Sequence, residues 1–143
     1  MMKNKKYPDV KIERTTEAKI FEAITAAIVV ASWFVGLWLL ISGKASGAVV
    51  FPYLAYTTFI PLFVGIVCYR PDFINLPVRI KTPAQVYEMV RMTRVMNIEL
   101  AVMFFFLILG TYIETIMSWT TVIFTFVLIA TLAFSCIHIK RIA

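Results

Sequence analysis

Charge is what this 143-residue chain has least of. Only 15% of its residues are Asp, Glu, Lys or Arg, where a soluble protein carries about 25%. Hydrophobic residues make up 61%, against roughly 45–50% in soluble domains. So small a polar stock excludes an ordinary water-soluble fold. Histidine occurs once, as His138, and cysteine twice, as Cys68 and Cys136. Without a CxxC pair or a histidine at ligand spacing, those thiols offer no metal site. No nucleophile–base pair accompanies them, so neither an enzyme nor a cofactor is expected. A cleavable signal is missing too. Its apolar segment would run about 7–15 residues to a small-residue cleavage site, whereas the first apolar run here passes through Trp33, Phe34 and Trp38 towards Gly43. No myristoylation or prenylation box suggests a lipid anchor.

What the chain does have is long apolar runs. Four of them, Ile20–Ile41, Ala48–Tyr69, Val95–Ile113 and Trp119–Ile139, approach the roughly 20 residues that cross a hydrocarbon core. The expected fold is all-α: an integral membrane four-helix bundle, with residues 1–19 as a leader and 20–143 as a single membrane domain. The loop 70–82 and an interfacial helix start at 83–94 lie between the second and third spans.

Basic residues divide unevenly among the loops. Six fall in the leader, five between Arg70 and Arg94, and two in the tail, leaving Lys44 as the one Lys or Arg of the fourteen on the opposite side. Under the positive-inside rule both termini are cytoplasmic. The net charge of +6 is read as topology and attraction to anionic headgroups, not as a nucleic-acid surface. Cys68 and Cys136 then sit at the cytoplasmic ends of their spans, where reducing conditions disfavour a disulfide, and they are expected to be buried and inert.

Within the spans, Ala23, Ala27 and Ala31 form a small-residue strip suited to close helix packing. Pro61 lies mid-span with Thr57 and Thr58 a turn before it, and their hydroxyls are available to the backbone groups that proline frees. Tyr53, Tyr56, Tyr112 and Trp119 read as an interfacial aromatic belt. Glu114 lies at the depth of Lys44, where a solvent-screened pair would contribute little. The hydroxyls of the fourth span, among them Thr121, Thr125, Thr131 and Ser135, are each expected to bond to the carbonyl one turn earlier.

The segment Thr82-Pro83-Ala84-Gln85 is a strong helix start, with an N-cap, proline at the first helical position and glutamine completing a capping box. The third helix is therefore expected to begin at Pro83, outside the membrane, and to run to about Met117, roughly 50 Å. Its first turns are amphipathic. Val86, Met89, Val90 and Met96 form the apolar stripe, opposite Gln85, Glu88, Arg91 and Arg94. Arg91 and Arg94, with Arg79 and Lys81 in the loop, are candidates for lipid or partner contact, and Glu88 is placed to pair with Arg91. Glu99 lies about 7 Å deeper than Arg94, beyond easy reach of any basic side chain of its own helix. It heads a candidate polar layer with Glu22, Asn97 and His138, and Asn97 is expected to bond to a neighbouring helix.

The stretch YRPDFINLPVRIKTPAQVYEMVRMTRVMNIEL resembles the loop and third-helix start of small bacterial multi-pass membrane proteins related to the SdpI immunity proteins. Phe73, Asn75, Pro77, Val78 and Ile80 carry the likeness in the loop, and Tyr87, Arg91 and Arg94 in the helix. The leader KIERTTEAKIFEAI is also similar, so about half the chain is covered. The family's outer-loop P-x-H-F-N motif is absent, since that loop here is SGKASGA. The resemblance implies an immunity-like or sensor-like role.

Three functions follow as expectations. The first is a non-enzymatic membrane protein acting through protein or lipid contacts. The second is a small oligomeric transporter or channel using Glu99 and Glu22, and the third is an accessory subunit of a larger membrane complex.

Overall fold

The computed structural model describes residues 15–70 and 80–142 of the chain. Four helices account for nearly all of them: α1 (Thr16–Ile41), α2 (Gly47–Val67), α3 (Pro83–Gly110) and α4 (Glu114–Arg141). All four are long and apolar enough to cross a membrane.

α1 begins earlier than the apolar run, at Thr16. Thr15 caps it, its hydroxyl accepting the Ala18 N–H at 3.2 Å, and Glu17 places negative charge in the first turn, where the helix dipole favours it. At its far end Gly43 adopts φ 72°, a left-handed conformation that glycine reaches without penalty. The Lys44 and Gly43 N–H groups return to the carbonyls of Leu39 and Leu40, the two-bond pattern of a Schellman cap. Gly43 and Gly47 stand at GxxxG spacing, but the first makes this turn and the second opens α2.

α3 starts where the sequence places it. The Thr82 hydroxyl accepts from Gln85 N–H, and the Gln85 side chain accepts from Thr82 N–H, a complete capping box with Pro83 behind the cap. It ends at Gly110, however, short of Met117, and its 28 residues span about 42 Å. A Cβ on Gly110 would lie 2.7 Å from Met117 Cβ and 2.8 Å from Met117 Cα. This close approach of α4's first turns ends α3 within a sequence that stays apolar.

α3 is the hub. It packs against α1, α2 and α4, and α1 also meets α2, while α4 rests on α3 with at most marginal contact elsewhere. The buried cluster of Leu39, Val50, Leu54 and Ile108 ties α1, α2 and α3 together near one end. α4 buries only Thr120 and Ile139 among its residues and leaves Phe126 and Phe134 about 70% exposed, as a lipid-facing helix does.

The packing faces differ from the pattern read in the sequence at two places. α1 packs with Ala18, Thr25, Ser32, Gly36 and Leu39, so the alanine strip is not its inner face, and Ala23 and Ala27 are exposed. Gly36 is the close-approach residue instead, because a Cβ there would meet Leu54 Cδ2 at 2.9 Å. Gln85, assigned to the polar side of α3, is fully buried. Its amide donates to the Ile139 carbonyl of α4 at 2.9 Å while its carbonyl oxygen accepts from Lys81 and Thr82 N–H. One side chain thus caps α3 and clasps the end of α4.

Candidate functional site

Helical geometry splits the polar residues of α3 between two faces. At about 100° per residue, Arg94 and Asn97 fall on one face and Glu88 and Glu99 on nearly the opposite one. The first faces α1 and α2, the second α4.

On the α1–α2 side, the Tyr69 hydroxyl donates to Glu22 Oε1 at 2.6 Å, and the Arg94 guanidinium lies 5.5 Å from the Tyr69 ring centroid. Asn97 is buried and its amide donates to the Pro61 carbonyl at 3.1 Å. Arg94 Nη2 and Asn97 Oδ1 are buried without a hydrogen-bond partner. Glu22, Tyr69, Arg94 and Asn97 all line one small cleft between α1, α2 and α3. That cleft shares Glu22, Thr25, Gly65, Tyr69 and Asn97 with a larger groove of about 470 Å³. The groove's remaining walls are mostly apolar, with Ala26, Val29 and Val30 from α1 and Leu62 and Ile66 from α2. Pro61 lines it too, but the nearby hydroxyls do not serve the carbonyl that proline frees. Thr57 and Thr58 donate to Tyr53 and Leu54 carbonyls at 2.7 and 2.9 Å, and Thr58 also accepts from Trp33 Nε1 at 2.8 Å.

On the α4 side, Thr131 donates to Glu99 Oε1 at 2.6 Å instead of to its own backbone. Thr121 and Thr125 do make that local bond, to Met117 and Thr121 carbonyls. Glu99 Oε2 is buried with no partner. Nearer the helix ends, Arg91 pairs with Glu17 of α1 through two nitrogens, at 2.8 and 3.0 Å, and with Glu88 at 3.0 Å. His138 Nε2 stands 3.6 Å from the other Glu88 oxygen. Arg91 and Glu17 are about half exposed, so each contact contributes at most about 1 kcal/mol.

The four members of the expected polar layer are therefore brought to two places. Glu22 and Asn97 line the α1–α2 groove, whereas Glu99 and His138 face the α3–α4 seam. Of the four candidate contact residues, Arg91 is engaged by Glu17 and Glu88, and Arg94 turns into the cleft. Lys81 is exposed, and Arg79 lies outside the described residues, as do the matched loop residues from Phe73 to Val78. Sequence reasoning missed Glu17, Thr131 and the clasp made by Gln85. The cap and acidic first turn around Thr15 could have revealed Glu17 as helical; nothing local marks Thr131. At the opposite end Lys44 reaches Tyr112, 3.4 Å from its hydroxyl and 4.7 Å from its ring centroid. Cys68 is buried and Cys136 only partly so.

Four helices of this length and apolarity define a multi-pass membrane protein. No family model, curated protein or solved structure matches the chain.

Proposed function

We propose that this chain is a non-enzymatic membrane protein that acts through lipid contact, holding one phospholipid in the groove between α1 and α2. The observation that carries this reading is the Arg94 Nη2 group, buried without a partner in the small cleft that adjoins the mostly apolar groove and shares Glu22, Tyr69 and Asn97 with it. A buried unpaired guanidinium nitrogen is costly, and a phosphate oxygen is the acceptor that guanidinium geometry suits best. The apolar walls would take an acyl chain. Both termini face the cytoplasm in this reading, supported by the sequence, in which thirteen of the fourteen Lys and Arg residues fall in the leader, between Arg70 and Arg94, or in the tail. The likeness of residues 69–100 to SdpI-related proteins supplies a biological setting, an immunity-like or sensor-like role in a bacterial inner membrane.

The test is the lipid retained by the protein after extraction in mild detergent, measured by native mass spectrometry. Wild type should carry one phospholipid per chain. Arg94→Ala, which removes the phosphate donor, and Leu62→Trp, which fills the groove without touching the polar end, should each reduce that occupancy at least fivefold. Equal occupancy in wild type and both variants overturns the reading.

A further inference from the structure

The second carboxylate site lies apart from that groove. On α3, Glu88 and Glu99 share the face turned to α4, eleven residues and about 16 Å apart by helical rise. On α4, Thr131, Ser135 and His138 recur at helical spacing and run the other way. The two rows meet as pairs, Glu99 with Thr131 at 2.6 Å and Glu88 with His138 at 3.6 Å. Between the pairs lies a cavity of about 290 Å³, whose polar lining comprises Glu88, Arg91, Thr131, Ser135 and His138. A water molecule takes about 30 Å³, so a short file of waters fits.

We infer that Glu99 is a proton-binding site loaded through this α3–α4 cavity. Thr131 is the link, since it lines the cavity and donates to Glu99 Oε1, while the other oxygen, Oε2, is buried without a partner. His138, 58% exposed at the other end, is the entry group. The charged and titratable groups along the path are few. α4 brings His138, and α3 brings Glu88 and Arg91. From α1, Glu17 reaches the path only by way of Arg91, and no α2 residue lines the cavity. Proton uptake runs through Thr131, which passes its hydroxyl proton to Glu99 Oε1 and takes one from the cavity side, and release returns the proton by the same route, so the step balances without a further reactant. Glu22 takes no part, because its Tyr69 contact lies on the other side of α3.

The experiment is labelling of the full chain in phospholipid vesicles by dicyclohexylcarbodiimide, which modifies protonated carboxyls in apolar surroundings, with the modified residue located by peptide mass. Glu99 should be labelled at acid pH and at least tenfold less at alkaline pH, and Glu99→Gln should abolish that peptide's mass shift. Thr131→Val removes the hydroxyl that joins the cavity to the carboxylate and should slow labelling after a drop in pH at least tenfold, whereas Thr131→Ser should keep the wild-type rate. Ser135→Phe, which fills the cavity, should slow the response to a pH jump at least tenfold. Absence of labelling at Glu99, labelling independent of pH, or an unchanged response in Ser135→Phe overturns the inference. Protection of Glu99 by sodium at fixed pH also overturns it, in favour of a metal cation. Loss of bound phospholipid in Arg94→Ala is a separate readout, so either proposal can fail alone.

Discussion

Gln85 makes three hydrogen bonds from a fully buried position, two accepted from the N–H groups that open α3 and one donated to the Ile139 carbonyl that closes α4. Gln85→Leu keeps the bulk and strands all three partners. Each net bond is worth about 1 kcal/mol and a stranded buried group about 1–3 kcal/mol, so we expect a loss of about 2–3 kcal/mol, read as a lower unfolding temperature in detergent. Gln85→Glu keeps the acceptor for Lys81 and Thr82 but loses the donor to Ile139, and should fall between the two. Cys68 gives a chemical counterpart. Its thiol is buried, 2% exposed, so a maleimide should leave Cys68 unmodified in the folded protein and reach it only on unfolding. Rapid labelling in the folded protein would contradict the burial argument.

At the scale of elements, the contrast between Gly43 and Gly110 separates two uses of glycine. Gly43 needs its positive φ and has open space around it. Gly43→Ala should cost about 1 kcal/mol through the backbone alone. Gly110 has no such φ, but a Cβ there would strike the backbone of Met117 at the start of α4. Because α4 rests almost wholly on α3, Gly110→Ala should loosen that helix as a unit, seen as faster amide exchange across α4 with α1 and α2 little changed. The same elements show how far the sequence could be read. The start of α3 was legible because Thr82, Pro83 and Gln85 form a complete local signal. Its end was not, because Leu107 to Ile113 contains no charge and the stop is set by contact with Met117. Glu88 and Arg91 were legible as a pair because both lie on one helix. Glu99's partner was not, since the register of α4 against α3 is set by packing, and it is this register that carries Thr131 to the carboxylate. Asn97 was expected to bond to a neighbouring helix, and its amide donates to the Pro61 carbonyl of α2.

Across the whole molecule, three contacts fix which ends lie together. Glu17 meets Arg91, Glu22 meets Tyr69, and Gln85 meets Ile139, so the start of α1, the end of α2, the start of α3 and the end of α4 share one end. Lys44 with Tyr112 marks the other. Lys19, Arg70, Lys81, Arg91, Arg94, Lys140 and Arg141 therefore gather at the first end, opposed by Lys44 alone among the described Lys and Arg residues. Moving such a cluster across a bilayer is opposed by both insertion bias and membrane potential, and this asymmetry underlies the proposed orientation. It is tested with single cysteines in a Cys68→Ala, Cys136→Ala background, using a membrane-impermeant maleimide on intact cells. Lys44→Cys should label without permeabilisation and Lys140→Cys only after it. The opposite pattern would reverse the orientation and put the entry group His138, two residues from Lys140, on the outer face. The proton inference would then survive with its access side exchanged, because the Glu99–Thr131 pair and the cavity beside it depend on how α4 sits on α3 and not on which face of the membrane they meet.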